Sequence, residues 1–426
     1  MIFIQALPAP AMRLLLSLAA FSACLLGHSH ARAAEENVQF WTMQLSPHND
    51  VYVKDVIARF EAGHPGIRVK WTDVPWAEME RKTLASVAAG TAPDVVNLNP
   101  QFAARLAEFG ALADPAAYLD AAAIAAYLPA AWKANSLDGK VFALPWYLNT
   151  NITLFNRDLL LRADATVPAD LDQLVATARK IKARTGTYAY FPALDASTPL
   201  EALVASGAPL LRKDQCGAGL ANAGGAHVFE TYRVLYQEDL VPRNVVTEGH
   251  RKAVEMFLSG QIGMVSTGMQ FLDYIKNNNP GIYSRIDVAP QINTGRSPAS
   301  IAAMNVAVLE KSPRKGAAFK FAQFLTNSDN QLAFARRVPI LPSTTASYRD
   351  PYFTMPVGEA LMDKARALSV RQVLSGAVLV PPMRKYSKLR VSYARNLQAV
   401  MLNKKTVTGA LGDIDREWAA ILGCGV

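Results

Sequence analysis

The spacing of apolar positions changes several times along the chain, and each change predicts an element. Val38-Gln39-Phe40-Trp41 reads as a strand, and Val53, Val56, Ile57 and Phe60 then fall at i, i+3, i+4 and i+7 of an amphipathic helix. Gly63-His64-Pro65-Gly66 ends that helix, and Ile67, Val69 and Trp71 alternate as a second strand. A helix over Trp76–Ala89 stops at Gly90-Thr91-Ala92-Pro93; Asp94–Leu98 is a short buried strand, and Phe102, Leu106 and Phe109 mark another helix. The run from Ala111 to Ala131, broken by Asp114 and Asp120, reads as a helix. This alternation of strand and helix predicts an α/β unit with a parallel sheet, whose ligands sit beyond the carboxyl ends of the strands. Those ends carry Gln44, Trp76, Asn97, Asn99 and Gln101, which are amides and an indole rather than catalytic groups.

The stretch from Phe142 to Leu159 divides the chain. It predicts a strand ending at Pro145, a polar bend, and a second strand over Ile152–Phe155 that runs into a helix opened by Asn156. The bend holds Trp146, Tyr147, Asn149, Thr150 and Asn151. Aromatic faces beside amides suit a neutral polyol, whose C–H faces stack while its hydroxyls hydrogen-bond; an inter-domain linker reads equally well.

A second unit follows. Helices carry Leu171, Leu174, Val175, Ala178 and Ile181, and then Val228, Tyr232 and Leu235. Strands fall at Tyr188–Phe191 and Ile262–Ser266, and a helix carries Phe271, Tyr274 and Ile275. Met304–Val308 is a return strand before a helix with Ser312 as N-cap, Pro313 at its first position, and a stripe of Ala318, Phe321, Ala322 and Leu325. The last helices carry Leu389, Leu397 and Met401, then Leu411, Ile414, Trp418 and Ile421.

Composition adds scale. At 426 residues, 51% hydrophobic and 19% charged, the chain exceeds what one core organises, so two domains are expected. Arg13, the apolar run Leu14–Gly27 and the small-x-small Ala31-Arg32-Ala33 predict a signal peptide over residues 1–33. Cys24 weakly resembles a lipid-anchor site, but apolar residues continue past it. Removing the leader takes Arg13 and Arg32 with it and lowers the net charge from +9 to +7. The basic residues are spread as solvated faces, which excludes a nucleic-acid partner. Cys216 and Cys424 remain, to be read as a disulfide or as two separate thiols. The mature histidines are scattered, so no metal or other cofactor is expected. Gly-x-Ser-x-Gly, His-Glu-x-x-His and the phosphate-cradling glycine loop are all absent, so no enzyme is expected.

Several stretches taken in series carry a resemblance: FEAGHPGIRVKW, VPWAEMERK, AAGTAPDVVNLN, EFGALADP, LPWYLNTNITLFNRDLL, GQIGMVSTG, SPRKGAAFKFAQFLTN and VPILPSTTASYRDP. Their order resembles extracellular solute-binding proteins, family 1, the carbohydrate-binding receptors of bacterial ATP-driven importers and relatives of maltose-binding protein. The resemblance implies a two-lobed periplasmic-binding-protein-like α/β fold (type II), each lobe a mostly parallel sheet flanked by helices. It places residues 34–147 and 306–347 in lobe 1, and 148–305 and 348–426 in lobe 2. It also implies a monomer in the periplasm or outside the cell that closes over a carbohydrate and delivers it to the permease subunits of an ABC importer. Gln101 and Gln270 stand where the family places ligand contacts, although its best-known members often carry an acid and a tryptophan there.

The remaining candidates keep two readings each. Trp41 suits core or cleft, and Trp76 favours the cleft, while Trp71 and Trp418 favour the core. Asp195 suits a sugar hydroxyl or a turn. Arg384 and Tyr386 follow Pro381-Pro382, which presents them to the cleft or, for Arg384, to solvent. The alternatives in function are a binding protein for a phosphorylated polyol such as glycerol 3-phosphate, which needs convergent Arg or Lys, and a polysaccharide-active enzyme.

Overall fold

A computed structural model describes residues 35–195, 197–293, 297–355 and 358–424. The expected signal peptide and Cys24 lie outside the described residues. The chain forms β1 (Glu36–Met43), α1 (Asp50–Gly63), β2 (Ile67–Val74), α2 (Trp76–Ala89), β3 (Val95–Leu98) and α3 (Pro100–Glu108). Asn99 opens α3 by accepting from the Phe102 amide, with Pro100 in the first turn, where a missing N–H costs nothing. Phe109 caps this helix and is exposed, outside the buried stripe expected of it.

The expected helix over Ala111–Ala131 is broken. Pro115 and Pro129 start a 3-10 turn and the helix Pro129–Ala134, and between them the Asp120 carboxylate caps Ala121–Ala125. Proline and side-chain caps compete with a continuous hydrogen-bond ladder, and here they win. The dividing stretch differs as well. Leu144–Thr150 (β4) runs straight through Pro145 and the expected polar bend, and Ile152–Asn156 (β5) begins one residue later. At this crossing Asn151 alone separates the two strands.

The later strands are β6 (Met264–Thr267), β7 (Ile286–Ala289), β8 (Ile301–Val308) and β9 (Leu341–Pro342). The two larger sheets have the orders β9-β4-β8-β3-β1-β2 and β6-β5-β7, and Ser136–Leu137 pairs with Lys140–Val141 as a separate antiparallel ribbon. Among these strands β1–β2 and β1–β3 are parallel, and β3–β8, β8–β4, β4–β9, β5–β6 and β5–β7 are antiparallel. The sheets are therefore mixed rather than mostly parallel. The reason is that β4 leaves the first lobe while β8 returns to it, so the two run in opposite directions side by side. Both extend past the expected lobe limits, β4 to Thr150 and β8 from Ile301. Tyr188–Phe191 is not a strand, although Tyr188 bridges Ile262 in parallel.

Helices flank both sheets. In the second lobe these include α4 (Thr198–Ala205), α5 (His250–Leu258) and α6 (Phe271–Asn278). In the first, α7 (Lys315–Leu325) starts later than expected. Ser312 Oγ donates to the buried Asp94 carboxylate instead of capping the helix, and Arg314 takes the cap position. The chain ends with α8 (Tyr386–Met401) and α9 (Val407–Leu422). Trp418 is buried between them and donates through Nε1 to Leu389 O at 3.0 Å.

Three buried apolar clusters result. One fills the second lobe, and the other two lie on opposite faces of the first sheet. Cys216 and Cys424 are bonded, with 5.5 Å between their Cα atoms, tying the end of the chain to the 212–218 loop. Among the described residues no helix is long and apolar enough to cross a membrane.

Candidate functional site

The site begins where strands stop. After β1 the chain turns at Gln44, whose φ is 52°, and Asp73 holds this turn. Its carboxylate accepts from the amides of Leu45 and Ser46 at 3.0 and 3.1 Å and from Thr42 Oγ1 at 2.6 Å. Gln44 Oε1 accepts from the Trp76 amide at 3.2 Å, so the first turn of α2 is anchored on the turn after β1. Pro75 then sets the approach, and the Trp76 ring stands out from the lobe, 48% exposed.

Opposite it stand Asp195 and the first turns of α8. Asp195 Oδ1 accepts from the His250 amide at 2.9 Å, and its backbone oxygen accepts from Arg390 at 2.7 Å. Gly249 makes room for that carboxylate, since a Cβ there would lie 2.0 Å from Asp195 Oδ2. Burial pushes His250 below its ordinary 6.5 despite the Asp195 charge, so its ring is neutral near pH 7. Burial raises the Tyr386 phenol, against the pull of Arg390.

Between these groups lies a cavity of about 480 Å³ lined by both lobes. The first lobe contributes Trp76, Glu80, Asn99, Gln101, Phe102 and Arg105; the second contributes Asp195, Ser197, Tyr386, Ser387 and Arg390. Five sequence candidates thus meet at one place: Trp76, Asn99, Gln101, Asp195 and Tyr386. Glu80, Arg105, Ser197 and Arg390 were missed, because ordinary helix-surface charges and a turn serine show no distinguishing pattern in sequence. Arg105 pairs with Glu80, and Arg390 lies beside Asp195, so two positive and two negative groups line the space.

Other candidates lie elsewhere. Trp146 is fully buried in the first lobe, stacked on Phe334 with ring centroids 5.3 Å apart, which corrects its expected place in the cleft. Asn97 is corrected in the same way. It is buried, accepts from the Met43 amide at 3.4 Å and donates to Asn305 O at 3.1 Å, so its amide serves the sheet. Trp41 and Tyr147 are half-buried against the cluster that contains Met43 and Val74. Asn149 is half-buried on β4 opposite Ala302. Gln270 precedes α6 without capping it, and its Oε1 is buried with no hydrogen-bond partner. Arg384 pairs with Asp138 at 2.5 Å on the rim, outside the Trp76 cavity. Beside it Lys385 reaches the first lobe twice, with Nζ 2.9 Å and its amide 3.1 Å from the Glu108 carboxylate. Among the described residues no cluster of His, Cys, Asp and Glu could hold a metal ion.

The sequence model of the bacterial extracellular solute-binding proteins matches residues 46–332. The chain belongs to this family. It is 36% identical to a protein of Synechococcus sp. MITs9220, assigned provisionally as an oligosaccharide periplasmic-binding protein, whose crystal structure superposes with a TM-score of 0.83 and covers 91% of this chain and 99% of that one. The sugar-binding protein MalE of Xanthomonas citri shares the fold at 21% identity, with a TM-score of 0.75 and coverage of 91% and 97%. A galactooligosaccharide-binding protein of Bacillus subtilis (strain 168) is 22% identical over 310 residues, 70% of this chain and 71% of its own length. The Synechococcus and Xanthomonas structures share the two-lobed architecture.

Proposed function

We propose that the chain is an exported receptor that captures a sugar or oligosaccharide between its lobes and delivers it to the permease of an ABC importer. The observation that carries this reading is the cavity shared by both lobes. It sets the exposed Trp76 ring opposite Tyr386, with Asn99, Gln101, Asp195 and Ser197 around them. Aromatic faces take sugar C–H surfaces, and amides, hydroxyls and fixed charges take the hydroxyls. Its volume falls in the range of small-ligand sites. The names of the Synechococcus and Bacillus relatives support the same ligand class.

The charge balance favours a neutral ligand. Glu80 offsets Arg105 and Asp195 stands beside Arg390, so a phosphorylated polyol finds no surplus of cations. Capture follows from geometry. A ligand touching Trp76 and Tyr386 together makes its full set of contacts only when the lobes are closed, so binding shifts the population toward closure. The closed pair then offers the permease a composite surface that separated lobes lack.

Calorimetry of the mature chain against a panel of neutral and phosphorylated sugars tests the reading. Saturable heats with a neutral sugar, weakened by Trp76→Ala, are expected. Binding of phosphorylated ligands alone overturns it, and turnover of a glycan would replace the receptor with an enzyme.

A further inference from the structure

Behind the cavity wall lies a chain of buried polar groups that capture alone does not require. Ser197 precedes α4 but does not cap it. Instead its hydroxyl donates to Glu201 Oε1 at 2.6 Å, one turn into the helix. The other Glu201 oxygen accepts from Gln291 Nε2 at 2.8 Å. Gln291 Oε1 accepts from the Ser300 amide at 2.9 Å, and the Gln291 amide donates to Gln372 Oε1 at 2.9 Å. Gln372 Nε2 in turn donates to Thr150 Oγ1 at 3.0 Å and Asn151 O at 2.7 Å, where the chain crosses between lobes. Glu201 is 7% exposed, and its charge raises three nearby phenols, those of Tyr190, Tyr232 and Tyr386. No ion pair reaches it among the described residues.

A carboxyl placed this way has two hydrogen-bonding states. Ionised, it only accepts, and the Ser197 proton points inward, leaving oxygen lone pairs toward the cavity. Protonated at Oε1, it donates to Ser197 Oγ, and the serine hydrogen is free to turn toward the ligand. Oε2 keeps accepting from Gln291 in both states, so the link to the crossing strand survives the change. We propose that Glu201 is a positioning residue that acts through Ser197, deciding whether the second lobe meets its ligand with a hydroxyl donor or an acceptor at this point. The proposal rests on the reading that this cavity takes the sugar.

Burial holds the Glu201 carboxyl above its ordinary 4.5, against the hydrogen bonds from Ser197, Ser300 and Gln291, so the exchange falls on the neutral side of that value. The folded state then favours the proton. The stabilisation this gives is complete below 4.5 and is lost as pH rises through the folded-state value.

Glu201→Gln reproduces the protonated state. Its amide nitrogen faces Ser197 Oγ as a donor while its oxygen accepts from Gln291, so every bond in the chain is kept. The test is calorimetry with maltose and a galactooligosaccharide as probes, from pH 4.5 upward through the raised titration of the Glu201 carboxyl. For the unaltered chain the Kd is expected to change by about fivefold over this range, the size of one hydrogen bond gained or lost. Glu201→Gln should hold the acid-side Kd throughout, and Ser197→Ala should also be flat. A pH profile in either variant that matches the unaltered chain overturns the proposal, even where Trp76→Ala weakens binding and the sugar reading stands. If neither probe binds any of the proteins, the sugar reading falls first and removes the proposal with it.

Discussion

The crossing strand β4 and the turn into α2 use similar materials, a tryptophan after a proline with amides close by, and they do opposite work. In β4 the ring of Trp146 points into the first lobe, between Tyr147 and Phe334, and none of it reaches solvent. At the start of α2 the Trp76 ring has no layer above it and faces the second lobe across the cavity. A strand inside a sheet has two covered faces, so each large side chain is claimed by one layer or the other. A helix start at a strand's carboxyl end has only the cleft in front of it. Position within the element, not residue type, separates the load-sharing ring from the cavity-facing one.

That comparison breaks in definite ways. The largest effect is expected from Trp146→Ala, which empties a packed aromatic site and should cost about 3–5 kcal/mol in chemical denaturation. A loss of sugar affinity at unchanged stability would instead return Trp146 to the cleft. Trp76→Ala should do the reverse, weakening binding about tenfold in calorimetry while moving unfolding by less than about 0.5 kcal/mol. Gly249→Ala sharpens the second lobe's side of the contrast. Its new methyl displaces the Asp195 carboxylate, and a severalfold loss in affinity with an intact fold is expected.

The smallest effect belongs to the rim. Burial raises Glu108, but the Lys385 side chain and amide, with Arg384 nearby, outweigh it and hold the carboxyl below its ordinary 4.5. Its stabilising contribution is therefore present above 4.5 and fades as pH falls through the lowered value. Lys385 is half exposed, so the pair is worth under about 1 kcal/mol. Glu108→Gln should weaken binding by less than about fivefold at neutral pH, and less still in high salt. An equal effect at every salt concentration would remove the rim pair from the closure equilibrium.

Much of the local structure was legible because its causes are local. Asn156, Asp170 and Thr406 each accept from an amide three residues on, and helices start there. Trp76–Ala89 begins after Pro75 and ends at the left-handed Gly90, as its own residues dictate. The stripe of Ala318, Phe321, Ala322 and Leu325 is buried because helical spacing puts those residues on one face. Where local signals competed, the reading failed. Ser312 looked like a cap, yet it was claimed by Asp94, more than two hundred residues away in sequence. Pro145 looked like a strand end, yet β8 and β9 pair with the strand on either side of it.

By itself the sequence determined the order of elements, most of their limits and the residue types available at the strand ends, since propensity, periodicity and capping act over a few residues. The tertiary structure alone decided which of those residues share a cavity. Trp76 and Tyr386 are more than three hundred positions apart, and no local rule brings them to the lining of one cavity. It also decided the fate of Trp146 and Asn97, because burial depends on which distant layer arrives to cover a face. The pairing of Ser197 with the buried Glu201 follows the same logic: a one-turn spacing is visible in sequence, but the desolvation that gives it consequence comes from the rest of the fold.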